Sequence, residues 1–209
     1  MICARIHSLA ASLLEHTSGF DVELIPANGL YLVFEKGEHA HGSNRIVRVG
    51  THTGQNQLLS RLKQHFLVGN KDRSIFRKNI GRALLARDGD SFLVDWELDL
   101  TSAAAKALYG PRVDRTKYEE TENRVTEYMQ ANFTFVVLPV AEKADRLILE
   151  SQIISAVALC KECGPSKNWL GNWSPKEKIR ASGLWLVNEL YKTPLDAGGL
   201  LLLQRLAKA

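Results

Sequence analysis

The chain has 209 residues, of which 45% are hydrophobic and 24% are charged, and its formal net charge is +4. This length suits one ordinary domain, and the apolar fraction is large enough to build a core, which argues against a disordered chain. The small positive charge favours a polyanionic partner only weakly. The three cysteines are too few for a disulfide framework, which predicts a location in the reducing cytoplasm.

The first 25 residues contain one predicted helix, from about Ile6 to His16, and Gly19 is suited to end it as a C-cap. The segment lacks the apolar region and the cleavage site of a secretory signal peptide. No stretch of the chain reaches the roughly 18 consecutive apolar residues of a membrane span. We therefore expect no membrane association.

Two short segments rich in β-branched and aromatic residues follow, NGLYLVFEKG (residues 28–37) and RIVRVGTHTG (residues 45–54). A polar loop of His, Gly, Ser and Asn joins them, a pattern typical of a β-hairpin. Tyr31 stands two residues after Gly29, in the first strand. A tyrosine in a strand is usually a packing residue, so a chemical role for Tyr31 needs support from elsewhere in the chain.

Two amphipathic helices are predicted after the hairpin. The segment NQLLSRLKQHF, with Asn56 as its predicted N-cap, carries Arg61 and His65 on one face because they are four residues apart. The segment SIFRKNIGRALLAR is the second helix, with Ser74 as its N-cap.

The same two helices are strongly basic. From Arg61 to Arg87 there are eight Lys or Arg residues and a single acid, Asp72. This imbalance indicates a positive face suited to a phosphate backbone, and an ordinary solvated surface is the equally weighted alternative. The candidate phosphate-binding residues are Arg73, Arg77, Lys78 and Arg82.

The second half of the chain mixes strands and helices. We predict a strand in SFLVDWELDL, a polar helical insertion around TKYEETENRVTEYMQANF, an apolar strand in FTFVVLPV and a third core helix in RLILESQIISAVALCKE. A hairpin followed by this irregular order predicts an α+β fold rather than a doubly wound sheet. The chain has no phosphate-binding glycine fingerprint, which disfavours a nucleotide-cofactor enzyme.

Glu150 is the only charged side chain between Leu147 and Cys160, on an otherwise apolar part of the third helix. Burying a carboxylate is unfavourable unless it is paired or bound to a cation. A magnesium ion held by one carboxylate, water and a substrate phosphate would satisfy it. An ion pair with an Arg or Lys at the rim of the sheet is the alternative.

Cys160 and Cys163 have the spacing of half a zinc site. No second CxxC and no paired histidines complete the four ligands of a closed site. We therefore expect a structural or incidental role for these cysteines.

The segment GLY in the first strand, RVG in the second, LLSRLKQHF on the next helix and a late helical glutamate follow an order that resembles the GIY-YIG nuclease superfamily. The resemblance implies an α+β fold in which helices flank a small mixed or antiparallel central sheet. It describes residues 1–209 as a single domain whose core is residues 26–87 and 132–173. Residues 88–131 would be an insertion, and residues 1–25 and 174–209 would be helical additions.

The resemblance also implies roles for individual residues. The arginine on the first helix, Arg61, would contact phosphate, and Glu150 would hold a single divalent metal ion, Mg²⁺ or Mn²⁺. Tyr31 would deprotonate the attacking water, while His65 would orient the nucleophile or relay its proton. Asn168, in NWLGNW, corresponds to an asparagine that restriction-type members place near the active site.

The second motif differs from the family pattern, because Arg48 replaces a tyrosine and Thr51 replaces a lysine. Tyr31 is kept and His52 follows the strand, so a phenol with a histidine or arginine neighbour is available. Cationic neighbours would favour the phenolate as a base.

The leading hypothesis is therefore a one-metal endonuclease acting on nucleic acid, with double-stranded DNA as the expected substrate. The second hypothesis is a nucleic-acid-binding module of the same fold, in which Arg48 marks a lost active site. The third is an interaction protein whose tail, residues 200–203, docks a partner or a second copy to form a homodimer.

Overall fold

The structure is a computed structural model that describes residues 1–208. The strands are β1 (Glu15–His16), β2 (Gly29–Ala40), β3 (Ser43–Gly50) and β4 (Phe133–Pro139). The helices are α1 (Ile2–Ala11), α2 (Leu58–Phe66), α3 (Ile75–Arg87), α4 (Leu93–Trp96), α5 (Ala103–Tyr109), α6 (Arg115–Asn132), α7 (Lys143–Ala158), α8 (Glu177–Ser182) and α9 (Ala197–Leu206). Short 3₁₀ helices lie at Val22–Leu24, Gly110–Arg112 and Leu170–Trp173.

The four strands form one sheet in the order β1-β4-β2-β3, and every neighbouring pair is antiparallel. A two-residue turn joins β2 to β3, and both of its residues, His41 and Gly42, have positive φ, 52° and 76°. A turn of this kind matches the twist of the flanking strands and fixes their register. The register places Tyr31 opposite Gly50, so the predicted hairpin is confirmed.

Helices cover both faces of the sheet. Leu30, Leu32 and Phe34 of β2 point into a core shared with α1, α7 and α9, whereas Tyr31 and Val33 point into a second core shared with α2, α3 and α6. Successive strand side chains alternate between the two faces, so a strand buried on both faces reads as an unbroken apolar run. The predicted α+β class, with a small antiparallel sheet between helices, is confirmed.

Two predicted helix boundaries differ from the structure. The first helix ends at Ala11 rather than near Gly19, and His16 belongs to the edge strand β1. Asn56 is not the cap of α2, because Gln57 takes that position without a side-chain hydrogen bond. Asn56 instead has a φ of 54° and hydrogen-bonds the side chain of Asn28 through its backbone N–H and its Oδ1.

The predicted strand in SFLVDWELDL is wrong, since the segment forms the short helix α4 and coil. Phe92 and Trp96 are buried, while Val94 between them is 74% exposed. A strand would direct all three side chains to one face, whereas a helical turn separates Val94 from the other two. The four-residue spacing of the buried Phe92 and Trp96 therefore indicates a helix.

The basic side chains of α3 do not form an exposed positive face. Arg77 is fully buried and donates to the Glu122 carboxylate of α6 from Nε at 3.1 Å and from Nη2 at 2.9 Å. Arg82 forms an ion pair with Glu97, and Lys78 donates to the Glu97 carbonyl at 2.7 Å. The prediction of a phosphate-binding face is therefore wrong for Arg77, Lys78 and Arg82, because internal acceptors already occupy them.

The C-terminal helix α9 packs against α1 and buries Leu200 and Leu203. Leu200 and Leu203 of the tail predicted to dock a partner are therefore covered within the chain, whereas Leu201 is 55% exposed. Among the helices of residues 1–208, none has both the length and the apolar character needed to cross a bilayer.

We expect Arg77→Ala to lower the free energy of unfolding by about 3–5 kcal/mol, because the Glu122 carboxylate would stay buried without its cation. Arg73→Ala is the control, since Arg73 is exposed, and should change the free energy by less than about 0.5 kcal/mol. Urea denaturation measures both. Equally small effects would show that the ion pair between α3 and α6 contributes no net stability.

Candidate active site

Tyr31 occupies the centre of the candidate site. Its side chain is almost fully buried on the α2 side of the sheet, and its hydroxyl oxygen lies 2.8 Å from Nε2 of His65. The Tyr31 ring also lies across Gly50, where an added Cβ would collide with the ring and the hydroxyl. The glycine of the second motif is thus explained by the close approach of the tyrosine of the first.

His65 connects Tyr31 to the start of α3. Its Nδ1 lies 2.6 Å from Oγ of Ser74, the N-cap that accepts a hydrogen bond from the Arg77 backbone N–H at 3.2 Å. Burial lowers the pKa of His65 well below its ordinary range, and three nearby guanidinium groups, that of Arg48 first, lower it further. The imidazole is therefore neutral, with one oxygen partner at each nitrogen.

Glu150 lies on α7, and its carboxyl is partly buried. Burial raises the pKa of this carboxyl, while the charge of Arg48 and the backbone amide of Thr51 oppose the rise. Within residues 1–208, no cationic side chain forms an ion pair with it. The alternative of an ion pair at the rim of the sheet is therefore not formed.

The chemistry of this carboxylate fits a divalent ion. Mg²⁺ binds proteins through one or two carboxylates and completes its coordination with water and substrate phosphate. Glu150 offers one carboxylate that has no paired cation in the described chain. The backbone amide of Thr51, a residue that lines the adjacent groove, is hydrogen-bonded to it.

The charge of Arg48 acts on both His65 and Glu150, since after burial it is the largest influence on the pKa of each. Its Nη1 donates to the Trp185 carbonyl at 2.7 Å, and its guanidinium lies over the Phe76 ring. Its Nε is buried, with no hydrogen-bond partner among residues 1–208. Arg48 is thus a positive charge held in place by the Trp185 carbonyl and the Phe76 ring.

A groove of about 340 Å³ lies between the end of β3 and α2, and the buried side chains of Tyr31 and His65 are not among the residues that line it. It is lined by Thr51, His52, Thr53, Gln57, Ser60, Arg61 and Gln64. Arg61 Nη1 is held by the Arg73 carbonyl at 3.0 Å, and no carboxylate of the described chain pairs with it. A guanidinium without an acid on the wall of a groove is suited to bind an anionic ligand.

His52 lies at the groove, but the backbone uses both of its ring nitrogens. Nδ1 donates to the Gly54 carbonyl at 2.7 Å, and Nε2 accepts from the Gly29 backbone N–H at 3.3 Å. Burial lowers the pKa of His52, which favours the neutral ring. The arrangement gives His52 a structural role at the end of the hairpin and corrects the prediction of a catalytic histidine here.

Two predicted nucleic-acid contacts lie outside this groove. Asn168 is exposed and lines a separate groove of about 250 Å³ that also includes Glu35 and Glu38. The structure therefore does not bring Asn168 to Tyr31. Arg73 is exposed and adjoins Arg61 through its carbonyl, which keeps it near the groove.

Two neighbours of the site were not predicted from the sequence. Ser74 was identified as a helix cap, but its contact with His65 depends on how α2 packs against α3. Arg146 lies one turn before Glu150 and is fully buried, with Nε and Nη2 unpartnered among residues 1–208. Its four-residue spacing from Glu150 is the signal that places both on one side of α7.

We expect Glu150→Gln to keep or raise the free energy of unfolding at neutral pH. The pKa of Glu150 is higher in the folded chain than in the unfolded chain. Folding therefore takes up a proton between the two values, and the wild type loses stability as the pH rises through that window. The glutamine variant has no such loss, so its advantage should shrink below the ordinary glutamate pKa.

Thermal unfolding at several pH values measures this difference, with Glu142→Gln as the control because Glu142 is exposed at the start of α7. A Glu150→Gln protein that is less stable than the wild type at neutral pH would contradict the account of this carboxyl.

A comparison with known protein families gives the same assignment as the hairpin motifs and the late glutamate. The family model described as the GIY-YIG domain matches residues 9–209. Searches of curated proteins and of solved structures find no match. Because the match spans almost the whole chain, the chain belongs to the GIY-YIG domain family, a family of nucleases.

Proposed function

We propose that the chain is a metal-dependent endonuclease that hydrolyses phosphodiester bonds of double-stranded DNA through Tyr31, Arg61, His65 and Glu150. The observation that carries this proposal is the 2.8 Å contact between the Tyr31 hydroxyl and a buried, neutral histidine. A second observation is the Glu150 carboxylate, which has no cationic partner in the described chain and whose pKa, raised by burial, is lowered, like that of His65, by the charge of Arg48. Packing alone explains neither the polar pair nor the lone carboxylate.

Tyr31 is the proposed general base. Tyr31 must first give up its own hydroxyl proton to solvent. When Ser74 Oγ–H donates to His65 Nδ1, the Nε2–H donates to the Tyr31 oxygen and stabilises the phenolate so formed. The phenolate takes a proton from the attacking water, so that a water O–H bond breaks and a tyrosine O–H bond forms. The resulting hydroxide attacks phosphorus, the bond to the leaving oxygen breaks, and a solvent proton neutralises that oxygen.

Arginines would stabilise the charge on the phosphate. Arg61 lines the groove and has no acid partner in the described chain, so the N–H groups other than those of Nη1 are available to a non-bridging oxygen. Arg48 adds a fixed positive charge from inside the site. Arg73, exposed beside Arg61, is the proposed contact to a neighbouring phosphate of the backbone.

Glu150 would hold the divalent ion, Mg²⁺ or Mn²⁺. When bound, such an ion neutralises charge on the scissile phosphate and on the leaving oxygen. The Thr51 amide and Arg48 both favour the ionised form of Glu150, which is the form that binds a cation.

A nucleic-acid-binding module without catalytic activity is the second candidate, and Arg48 is the observation that favours it. This side chain fills the place of a tyrosine and is committed to the Trp185 carbonyl and the Phe76 ring. Such a module would keep the free Arg61 for phosphate binding and would have no requirement for a metal ion.

The cellular setting and the assembly belong to the same proposal. The three cysteines are all free thiols, which is consistent with a reducing cytoplasm. One set of catalytic residues cuts one strand, so we propose a homodimer for cutting both strands of a duplex. Light scattering of the free protein and of the protein with DNA tests this assembly.

The test of the function compares cleavage with binding. The wild type should nick supercoiled plasmid in Mg²⁺, and Tyr31→Phe should nick it about 10²–10⁴-fold more slowly because the general base is lost. Glu150→Gln should also lose nicking, since metal binding is lost with the charge. Both variants should keep the gel-shift affinity of the wild type. Tyr191→Phe is the matched control, because Tyr191 is exposed.

Two outcomes would contradict the proposal. Nicking by Tyr31→Phe at the wild-type rate would remove Tyr31 from the mechanism. Binding without nicking by the wild type, with or without Mg²⁺, would favour the non-catalytic module.

A further inference from the structure

The three cysteines of the chain meet at the tip of the hairpin, in the core on the other face of the sheet from Tyr31. Cys3 comes from α1, Cys160 and Cys163 follow α7, and His41 is the first residue of the β2–β3 turn. The four ligand atoms lie within 4.8 Å of one another. The pair Cys160 and Cys163, incomplete in the sequence, is thus completed by residues distant in the chain.

We propose that Cys3, His41, Cys160 and Cys163 bind one Zn²⁺ ion in a closed structural site. Tetrahedral zinc with its usual bond lengths places thiolate sulfurs about 3.8 Å apart, and a sulfur and an imidazole nitrogen about 3.6 Å apart. The Cys3 and Cys163 sulfurs are 3.3 Å apart, and His41 Nε2 lies 3.2 Å and 3.4 Å from the sulfurs of Cys163 and Cys160. A small outward movement of the ligands would therefore admit the ion.

The surroundings of His41 match those of a metal-binding histidine. Its Nδ1 lies 3.4 Å from the Glu162 carboxylate, which leaves Nε2 facing the three sulfurs. Metal-bound histidines commonly donate their other ring N–H to a carboxylate, which fixes the tautomer and the orientation of the ring. Glu162 lies inside the segment that joins Cys160 to Cys163, so one loop supplies two ligands and the orienting acid.

His7 is close to the cluster but is not one of its ligands. Its Nδ1 lies 3.0 Å from the Cys3 carbonyl, and its Nε2 accepts from the Ile46 backbone N–H at 3.1 Å. With both nitrogens engaged by backbone groups, His7 fixes the turn of α1 that carries Cys3. The ligand set is therefore three thiols and one imidazole.

The ligand chemistry separates this site from Glu150. Soft thiolates favour zinc, whereas a carboxylate with water favours magnesium. Cys3 and Cys163 are buried, and four protein ligands fill a tetrahedral shell without an open position for substrate. The site is accordingly structural and does not depend on the proposed nuclease activity.

A bound ion would tie three separate parts of the chain together. It would join α1 to the hairpin that carries Tyr31 and to the end of α7, the helix that carries Glu150. Cys3 lies before Leu9, where the family match begins. The complete ligand set is therefore a property of this chain rather than of the matched region alone.

Metal analysis of the purified, reduced protein tests the proposal without nucleic acid. We expect one equivalent of zinc per chain by mass spectrometry, and thiols that react with a thiol reagent only after a chelator removes the metal. Adding Co²⁺ to the metal-free protein should give the absorption of a tetrahedral thiolate site. Glu162→Gln should weaken Co²⁺ binding about 10–100-fold.

His41→Ala should lose stoichiometric zinc, and His39→Ala is the matched control because His39 is exposed on the same hairpin. Reduced wild-type protein that carries no zinc and gives no Co²⁺ absorption would overturn the proposal. A disulfide between Cys3 and Cys163 in the protein purified without reductant, together with no metal, would overturn it equally.

Discussion

The hydrogen-bonded chain from Tyr31 through His65 to Ser74 is the interaction on which the rest of the site depends. It joins β2, α2 and the start of α3 inside the protein, and all three side chains are buried, so each relies on the others for its hydrogen bonds. The glycine at position 50 follows from it, because the tyrosine ring occupies the space of a side chain there. The position at which α3 begins depends on it as well, since Ser74 both caps this helix and hydrogen-bonds His65.

The distribution of acids determines which arginines remain available. Arg77 and Arg82 form ion pairs with Glu122 and Glu97, which lie between α3 and β4 in the sequence. The segment predicted to be an insertion therefore supplies the carboxylates that neutralise these two arginines. Arg48 and Arg61 have no such partner among residues 1–208. Burial above all, and then the charges of Arg48, Arg61 and Arg77, lower the pKa of His65 and keep it neutral. The unpaired guanidinium groups of Arg48 and Arg61 thus act on both His65 and Glu150.

Local patterns in the sequence predicted those features of the structure that depend on interactions between residues close together in the chain. The hairpin, α2, the Ser74 cap and the position of Glu150 on α7 follow from strand alternation, helical spacing and turn residues. The ion pairs of the α3 cations could not be predicted in this way, because the partner of Arg77 is 45 residues away in the sequence. The cysteine cluster was not predicted for the same reason. Cys3 and Cys163 are 160 residues apart, and only the packing of α1 brings them together. The helix α4 was missed because a short apolar run fits a strand as well as a buried helical turn.

The central claim is that Tyr31 and Glu150 act on the same phosphodiester. A crystal structure of Tyr31→Phe with a short DNA duplex and Mn²⁺ measures this most directly, because manganese is located by its anomalous scattering and the substrate stays uncleaved. The account predicts manganese on the Glu150 carboxylate, with a phosphate between it and position 31 and Arg61 on one of the phosphate oxygens. Manganese or DNA bound only elsewhere, for example in the groove of Asn168, with no ion on Glu150, would contradict it.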